Sequence, residues 1–496
     1  MSKTFRPYEP DQPFLMPASM RDWLPSGHLA YFVSDVVEQL DLSAVTERYA
    51  HEERGYPPYH PQLMVKVLLY AYCIGVPSSR KIARKLEEDI AFRVLAANNT
   101  PDFRTISDFR KDHLKSLAGL FVQVLKLCQK AGLVKLGHVA LDGTKIQANA
   151  SKHKAMSYKR MKEEETRLEA EVAELFRKAE TVDAEEDQRY GKGKRGDELP
   201  RELVFRESRL KKIREARQAL EAEARQAAEK GQENNAQTVM PQDKSQRNFT
   251  DADADADADS HIMPAPGGKH FIQAYNAQAA VDSAHQVIVA AEITNRPVDR
   301  GQAEPMMAVV KANTGSFPLQ MSADAGYFSS DAVTNLATLG IDVYMPPGKT
   351  RHRSIVLPAP RGRIPKSLSI PDRMRRKLRT KKGQTCYALR KELPEPVFGQ
   401  IKQGRGFRQF LLRGLDKVSD EWRLICAAIT CSNYVRHTGK GLLNQDSPGI
   451  SPAWICLYQP CLIRFTPSTS QRNFCSTLHV VSQVSVKNLL GHTPRK

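Results

Sequence analysis

Apolar residues recur at three- and four-residue spacing in HLAYFVSDVVEQL and HPQLMVKVLLYAYCIG, which predicts two amphipathic helices early in the chain. PSSRKIARKLEEDIAFRVLA follows, with Ser78 or Ser79 as the cap of a short helix that exposes Arg80, Lys81, Arg84 and Lys85. TPDFRTISDFRKDHL carries a further capping pattern, and LAGLFVQVLKLCQKAGLV an apolar helix. Residues 1–134 therefore read as a helical domain. Short helices with a basic face suit contact with a DNA backbone, and Arg80, Lys81, Arg84 and Lys85 are the candidates for it. A solvated face is the commoner origin of any single basic helix.

The period changes at Gly137. HVALDGTKIQANAS is strand-like and puts Asp142 at a strand-to-turn junction, so residues 135–154 open a second domain. Residues 155–232 interrupt it with two long runs rich in Glu, Lys, Arg and Ala, which predict an antiparallel helical hairpin, a coiled-coil-like inserted arm. DADADADAD, within 233–267, is low in complexity and is expected to be a flexible linker. Strand patterns resume in HFIQAYNAQAAVD and QVIVAAEITN. A helix (GQAEPMMAVVKAN), a short buried strand running to Asp324 (LQMSADAGYF), a capped helix (SSDAVTNLATLG) and a strand (IDVYMPP) come next. This alternation over 268–427 predicts a mixed α/β layer.

With 496 residues and 26% charged residues, the chain has the composition of a soluble protein of two or three domains. No apolar run is long enough to cross a membrane, and MSKTFRPYEPDQPF has no apolar core of a secretory signal. The expected location is the cytoplasm, at the nucleoid, with no membrane partner. The net charge of +18 favours a polyanionic partner. Residues 349–382, with their many Lys and Arg against the single acid Asp372, are a candidate nucleic-acid contact. The eight cysteines form no Cys-x-x-Cys pair, which excludes a zinc ribbon or dithiol redox motif.

Three acids stand in order along the second domain: Asp142, Asp324 and Glu395. Each has an ordinary explanation, as a turn former, a helix cap and a helix-dipole partner. As a set they suit two hard cations about 4 Å apart, which need oxygen ligands from several carboxylates. Pro394 and Pro396 start a helix that carries Glu395 in its first turn, and Lys402 lies seven positions on, on the same face.

In ALDGTKIQANAS, YNAQAAVDSAHQVIVAAEITN, SADAGYFS and EPVFGQIKQGRGFRQF the chain resembles the DDE transposases of bacterial insertion sequences. The branch is the one with a Tyr-Arg-Glu-Lys signature, and the likeness is greatest to the insertion-sequence eleven-eighty-two type, over roughly residues 1–427. The resemblance implies an RNase H-like core, two Mg²⁺ or Mn²⁺ ions, and cleavage and strand transfer at DNA ends. It makes Asp142, Asp324 and Glu395 metal ligands and counts Lys402 with them in the catalytic set. It puts Lys402 on DNA near the cleavage point, with Lys391 and Arg405 as further DNA contacts. Tyr387 and Arg390 keep the family's mutual spacing, whereas Lys391 keeps its spacing to Glu395. The partners implied are duplex DNA, as terminal inverted repeats and target, and a second copy of the chain. A related nuclease, or a DNA-binding remnant without turnover, has the same residues to draw on.

From about residue 428 the composition shifts to many Cys and Ser with little charge. Codons for AITCSNY, read from the third base of the Ala428 codon, permit His-Asn-Leu-Leu-Lys-Leu, the kind of helix that continues related chains. A frameshift near residue 427 is therefore expected for 428–496, set against a genuine but divergent C-terminal segment.

Overall fold

The computed structural model describes residues 19–49, 58–150, 155–190, 201–230, 246–248, 259–265, 270–348 and 367–443, with Pro241, Asp257, Gly362 and Pro365. The first part is helical: α1 (Leu29–Glu38), α2 (Ser43–Thr46), α3 (Pro61–Cys73), α4 (Ser79–Glu88), α5 (Ile90–Leu95), α6 (Phe103–Asp112) and α7 (Leu114–Lys130). Local chemistry sets several starts. His60 accepts from Gln62 N ahead of Pro61, Asp89 caps α5, and Asp102 caps α6 through Thr105 N at 2.7 Å. Val33, Val37, Met64, Leu68, Tyr72, Phe92 and Phe121 are buried together as the core of these helices.

The strands are β1 (His138–Gln147), β2 (Ala155–Ser157), β3 (Gln246–Asn248), β4 (His261–Pro264), β5 (Phe271–Asp282), β6 (Ile288–Thr294), β7 (Gln320–Ser322) and β8 (Asp342–Tyr344). β1 pairs antiparallel with β5 and parallel with β7, and β7 pairs parallel with β8. β4 and β6 both pair antiparallel with β5, opposite different stretches of it. The result is a mixed sheet with β1 near its centre. Such a strand is flanked on both sides, and Val139, Ala140 and Leu141 are accordingly all buried.

Between β1 and β4 the chain leaves the sheet. α8 (Tyr158–Tyr190) and α9 (Arg201–Lys230) pack on each other, and β2 pairs with β3 at the base of the arm. The arm has its own small core, with Tyr158, Met161, Leu168, Leu210 and Ile213 buried. α10 (Ala303–Thr314) and α11 (Ser330–Thr338) contribute Met306, Met307 and Leu336 to a second core that also takes Val139 and Met321 from the sheet.

Three stretches bear on the expectations. The end of the Asp-Ala tract is not linker: Asp257 is 1% exposed, with its Oδ1 accepting from the Tyr275 hydroxyl at 2.6 Å and from Gly414 N at 3.2 Å. Asp259 accepts from Leu415 N at 2.9 Å, so the two acids cap the helix that follows. The basic stretch forms α12 (Ile370–Leu378) and α13 (Lys381–Glu392) over its described part. Two of its cations are paired, because Lys377 and Lys382 both meet Asp342, Lys382 while remaining exposed; most of residues 349–366 lie outside the described residues. Last, α15 (Leu415–Leu443) runs unbroken through residue 428 and buries Ala427, Ala428, Ile429 and Cys431 against the helical core. The rest of the tail is outside the described residues. Among those that are described, no helix is long and apolar enough to cross a membrane.

Candidate active site

β1 and β7 run side by side from His138↔Gln320 to Ala140↔Ser322. Two residues beyond that last pair stand Asp142 and Asp324, so parallel pairing brings the two acids to equivalent positions on neighbouring segments. Each is held by a backbone amide: Asp142 accepts from Gly143 N at 2.9 Å and Asp324 from Gly326 N at 2.7 Å. Asp324 thereby caps the short 3₁₀ turn Ala325–Tyr327.

A third carboxylate, which sequence reasoning missed, joins them. Asp299 lies in the loop after β6, and its Oδ1 accepts from Asn276 Nδ2 at 2.7 Å and Gln278 Nε2 at 2.8 Å. Both donors are fully buried on β5. Gly326 separates this acid from Asp324, since a Cβ there would stand 2.9 Å from Asp324 Oδ1 and 3.4 Å from Asp299 Oδ2. Burial pushes the Asp142 carboxyl up to about 7. The charges of Asp324 and Asp299 push the same way, while the Gly143 amide and the Arg390 guanidinium oppose the rise.

Two cations lie near these acids. Lys145, on β1, lies 3.8 Å from Asp299, and its Nζ is buried without a hydrogen-bond partner. Burial pulls its ammonium down, against the charges of Asp299, Asp142 and Asp324. Arg390, on α13, lies over the Tyr387 ring at 5.7 Å. Tyr387 in turn has its phenol raised by burial, with Asp324 and Asp142 adding to the rise. Tyr387 and Arg390 therefore both lie within electrostatic reach of Asp142.

Glu395 does not join them in this conformation. α14 (Pro394–Gly399) presents it exposed in the first turn, with Pro394 at the helix start. A single π-helical turn, Gln400–Gly404, follows and carries Lys402. That side chain reaches back to β1 and donates to the Lys145 carbonyl at 2.6 Å. Burial, then Arg408 and Lys145, lower its ammonium to about 8. Lys391 is exposed in the last turn of α13. Arg405 faces inward and donates from Nε to the Cys73 carbonyl at 2.8 Å, which docks this loop on the end of α3.

The basic residues of α4 divide. Arg80 and Lys81 are exposed, whereas Arg84 pairs with Glu88 at 3.3 Å and Lys85 with Asp89 at 3.1 Å. Exposed pairs of this kind are weak, but each sets an acid beside the cation.

The oxygen-rich donor set suits a hard cation. Its geometry is open, however: among the described residues no group of three or more His, Cys, Asp or Glu side chains is arranged to hold one ion. Proximity in charge is thus achieved before proximity in coordination, with Lys145 inside the acidic cluster and Glu395 outside it.

Two families match the chain. Residues 18–112 match the family described as Transposase domain (DUF772), which spans α1 to α6. Residues 363–434 match the Transposase DDE domain, which spans Tyr387, Arg390, Glu395, Lys402 and the first two thirds of α15. No curated protein and no solved structure matches. Asp142 stands in the middle of β1, paired with Ala279, and not at the strand-to-turn junction its Asp-Gly sequence predicted, while Asp324 stands just past the end of β7. With these acids on neighbouring strands, the two family matches support a DDE transposase of an insertion element.

Proposed function

We propose that this transposase cleaves and joins phosphodiesters at the ends of an insertion sequence of the eleven-eighty-two type. The observation that carries it is the meeting of Asp142 and Asp324 at equivalent positions on neighbouring segments, with Tyr387 and Arg390 near them. The strand order β6-β5-β1-β7-β8, three antiparallel strands followed by two parallel ones, supports an RNase H-like core.

Asp142, Asp324 and Glu395 would hold divalent cations, Mg²⁺ or Mn²⁺, with Glu395 turning in from the first turn of α14. When bound, such ions supply an activated water or 3′-hydroxyl and stabilise the leaving oxygen. The chain's own residues do the rest. Asn276 and Gln278, both fully buried, fix Asp299, which would orient the acidic cluster. Arg390 offsets the repulsion among the acids. Lys402, bonded to the β1 backbone at the Lys145 carbonyl, and the exposed Lys391 would contact the DNA.

The test is cleavage of a labelled duplex bearing the element's ends, with Mg²⁺ or Mn²⁺, beside Asp142→Ala, Asp324→Ala and Glu395→Ala. Loss of cutting in all three, with strand-transfer products from the parent, is the expected result. Cutting without joining indicates a nuclease, and end binding without cutting indicates a remnant. The frameshift stays part of the proposal: an out-of-frame continuation in the gene is expected, and its absence refutes it. A second copy is expected to pair two ends, read as a dimer on DNA by light scattering.

A further inference from the structure

A groove of about 530 Å³ lies between the starts of α4 and α6. Ser78, Ser79, Arg80, Arg104, Ser107 and Arg110 line it, with the Phe103 ring, and Asp108 and Leu411 complete the lining. We propose that it seats a backbone phosphate of duplex DNA, and that this seat, rather than the outer face of α4, anchors the helical part to DNA. The inference rests on the transposase reading for its partner.

Four features point to an anion. Ser78 is the N-cap of α4, in extended conformation, yet its side chain makes no capping bond, so the positive end of this ten-residue helix has no cap from it. Ser79 is only 8% exposed and its hydroxyl has no hydrogen-bond partner. A buried hydroxyl left unpaired is costly, and a ligand oxygen would satisfy it. Arg80 and Arg104 both lie over Phe103, at 5.1 and 5.7 Å, so one ring holds two guanidinium groups ready. Arg110, 8% exposed, is fixed behind them by the Pro77 carbonyl at 2.7 Å and the Tyr72 hydroxyl at 3.3 Å.

By contrast the start of α6 is already occupied by Asp102, and Arg84 and Lys85 are paired along α4. Three arginines against the one acid Asp108 leave the lining cationic. Leu411 belongs to the loop whose neighbours join β1, through Gln147 N to the Arg408 carbonyl and Phe410 N to the Gln147 carbonyl. A phosphate in the groove is thus placed by the same strand that carries Asp142.

The experiment measures duplex binding by the full chain from 50 to 300 mM salt. The variants are Arg80→Gln/Arg104→Gln, Ser79→Ala, and the charge-matched control Lys126→Gln/Lys130→Gln on α7. The arginine pair is expected to weaken binding about tenfold or more and to lower the salt slope by about 1, as for one lost phosphate contact. Ser79→Ala is expected to weaken it several-fold, and the control far less than the arginine pair. Equal losses in the arginine pair and the control, or none in either at an unchanged melting temperature, overturn the proposal. Competition by millimolar inorganic phosphate or nucleotide at this groove, with duplex binding indifferent to the variants, assigns the seat to a free phosphate and also overturns it. A parent chain that binds no duplex at all refutes the transposase reading itself, whereas binding that ignores the groove refutes only the seat.

Discussion

Gly143→Ala tests the geometry of the acidic cluster. A Cβ at Gly143 would come within 3.0 Å of Gln278 Nε2, of Asp299 Oδ1 at 2.8 Å, and of Asn276 Oδ1 at 2.9 Å. None of these atoms is free to swing away. Asn276 and Gln278 are 0% exposed, both donate to Asp299, and Gln278 also accepts from the Tyr327 hydroxyl. Overpacking of this kind costs about 1–3 kcal/mol. Displacing one amide from the carboxylate loses a charged hydrogen bond worth about 1.5–3 kcal/mol. The expected loss of stability is therefore about 2.5–6 kcal/mol, the sum of those ranges. Urea unfolding followed by tryptophan fluorescence reads it, because Trp422 is buried with its indole N–H on the Gln278 carbonyl at 3.1 Å. Gly137→Ala is the control: a Cβ there meets nothing within 4 Å, and its effect should stay within about 0.5 kcal/mol. Equal midpoints for the two variants would refute the close approach of β1 to the Asp299 cradle.

Gly119→Ala, exposed within α7 with nothing within 4 Å of the new methyl, should stabilise by about 0.5–1 kcal/mol in the same unfolding assay. Asp257→Ala strips the Tyr275 hydroxyl and the Gly414 amide of their acceptor, and should cost about 2–4 kcal/mol. Glu421 is 2% exposed and accepts from Leu411 N and Leu412 N, and burial raises its carboxyl above the ordinary range. A folded-state pKa above the unfolded one gives a contribution that is complete below the unfolded value and is lost as pH rises through the folded one. Glu421→Gln should therefore gain on the parent as pH rises above the ordinary glutamate value of 4.5; a pH-independent difference in urea midpoint would exclude this.

Asp324 was legible because a short apolar strand stops just before it, whereas Asp142-Gly143 read as a turn although β1 continues through both residues to Gln147. Asp299 was not, since its loop has no period; the available signal was indirect. Asn276 and Gln278 are polar residues inside the otherwise apolar NAQAAV run, and polar groups on a strand buried on both faces require partners. The exposed position of Glu395 depends on how α14 packs, which spacing along the chain does not determine. The composition shift at residue 428 does not coincide with a break in the fold, because Ala428, Ile429 and Cys431 are small or apolar enough to continue the buried face of α15. The alternating acids of the Asp-Ala tract hid a structural pair because Asp257 and Asp259 act through tertiary contacts with Tyr275 and the start of α15.

The arm also bears on how the chain finds its fold. β1 must pair with β5 although Gln147 and Ala274 are about 130 residues apart. α8 and α9 are near neighbours in sequence, and their joining sets Ala155 beside Asn248. Once the arm zips, the loop that remains to be closed is about 35 residues, which lowers the entropic barrier to the central pairing by about 1 kcal/mol. An arm that looks like an accessory is then a folding chaperone in cis. Replacing α8 and α9 with an unstructured linker of equal length should slow refolding of the sheet severalfold, whereas a short linker joining 155 to 248 should not.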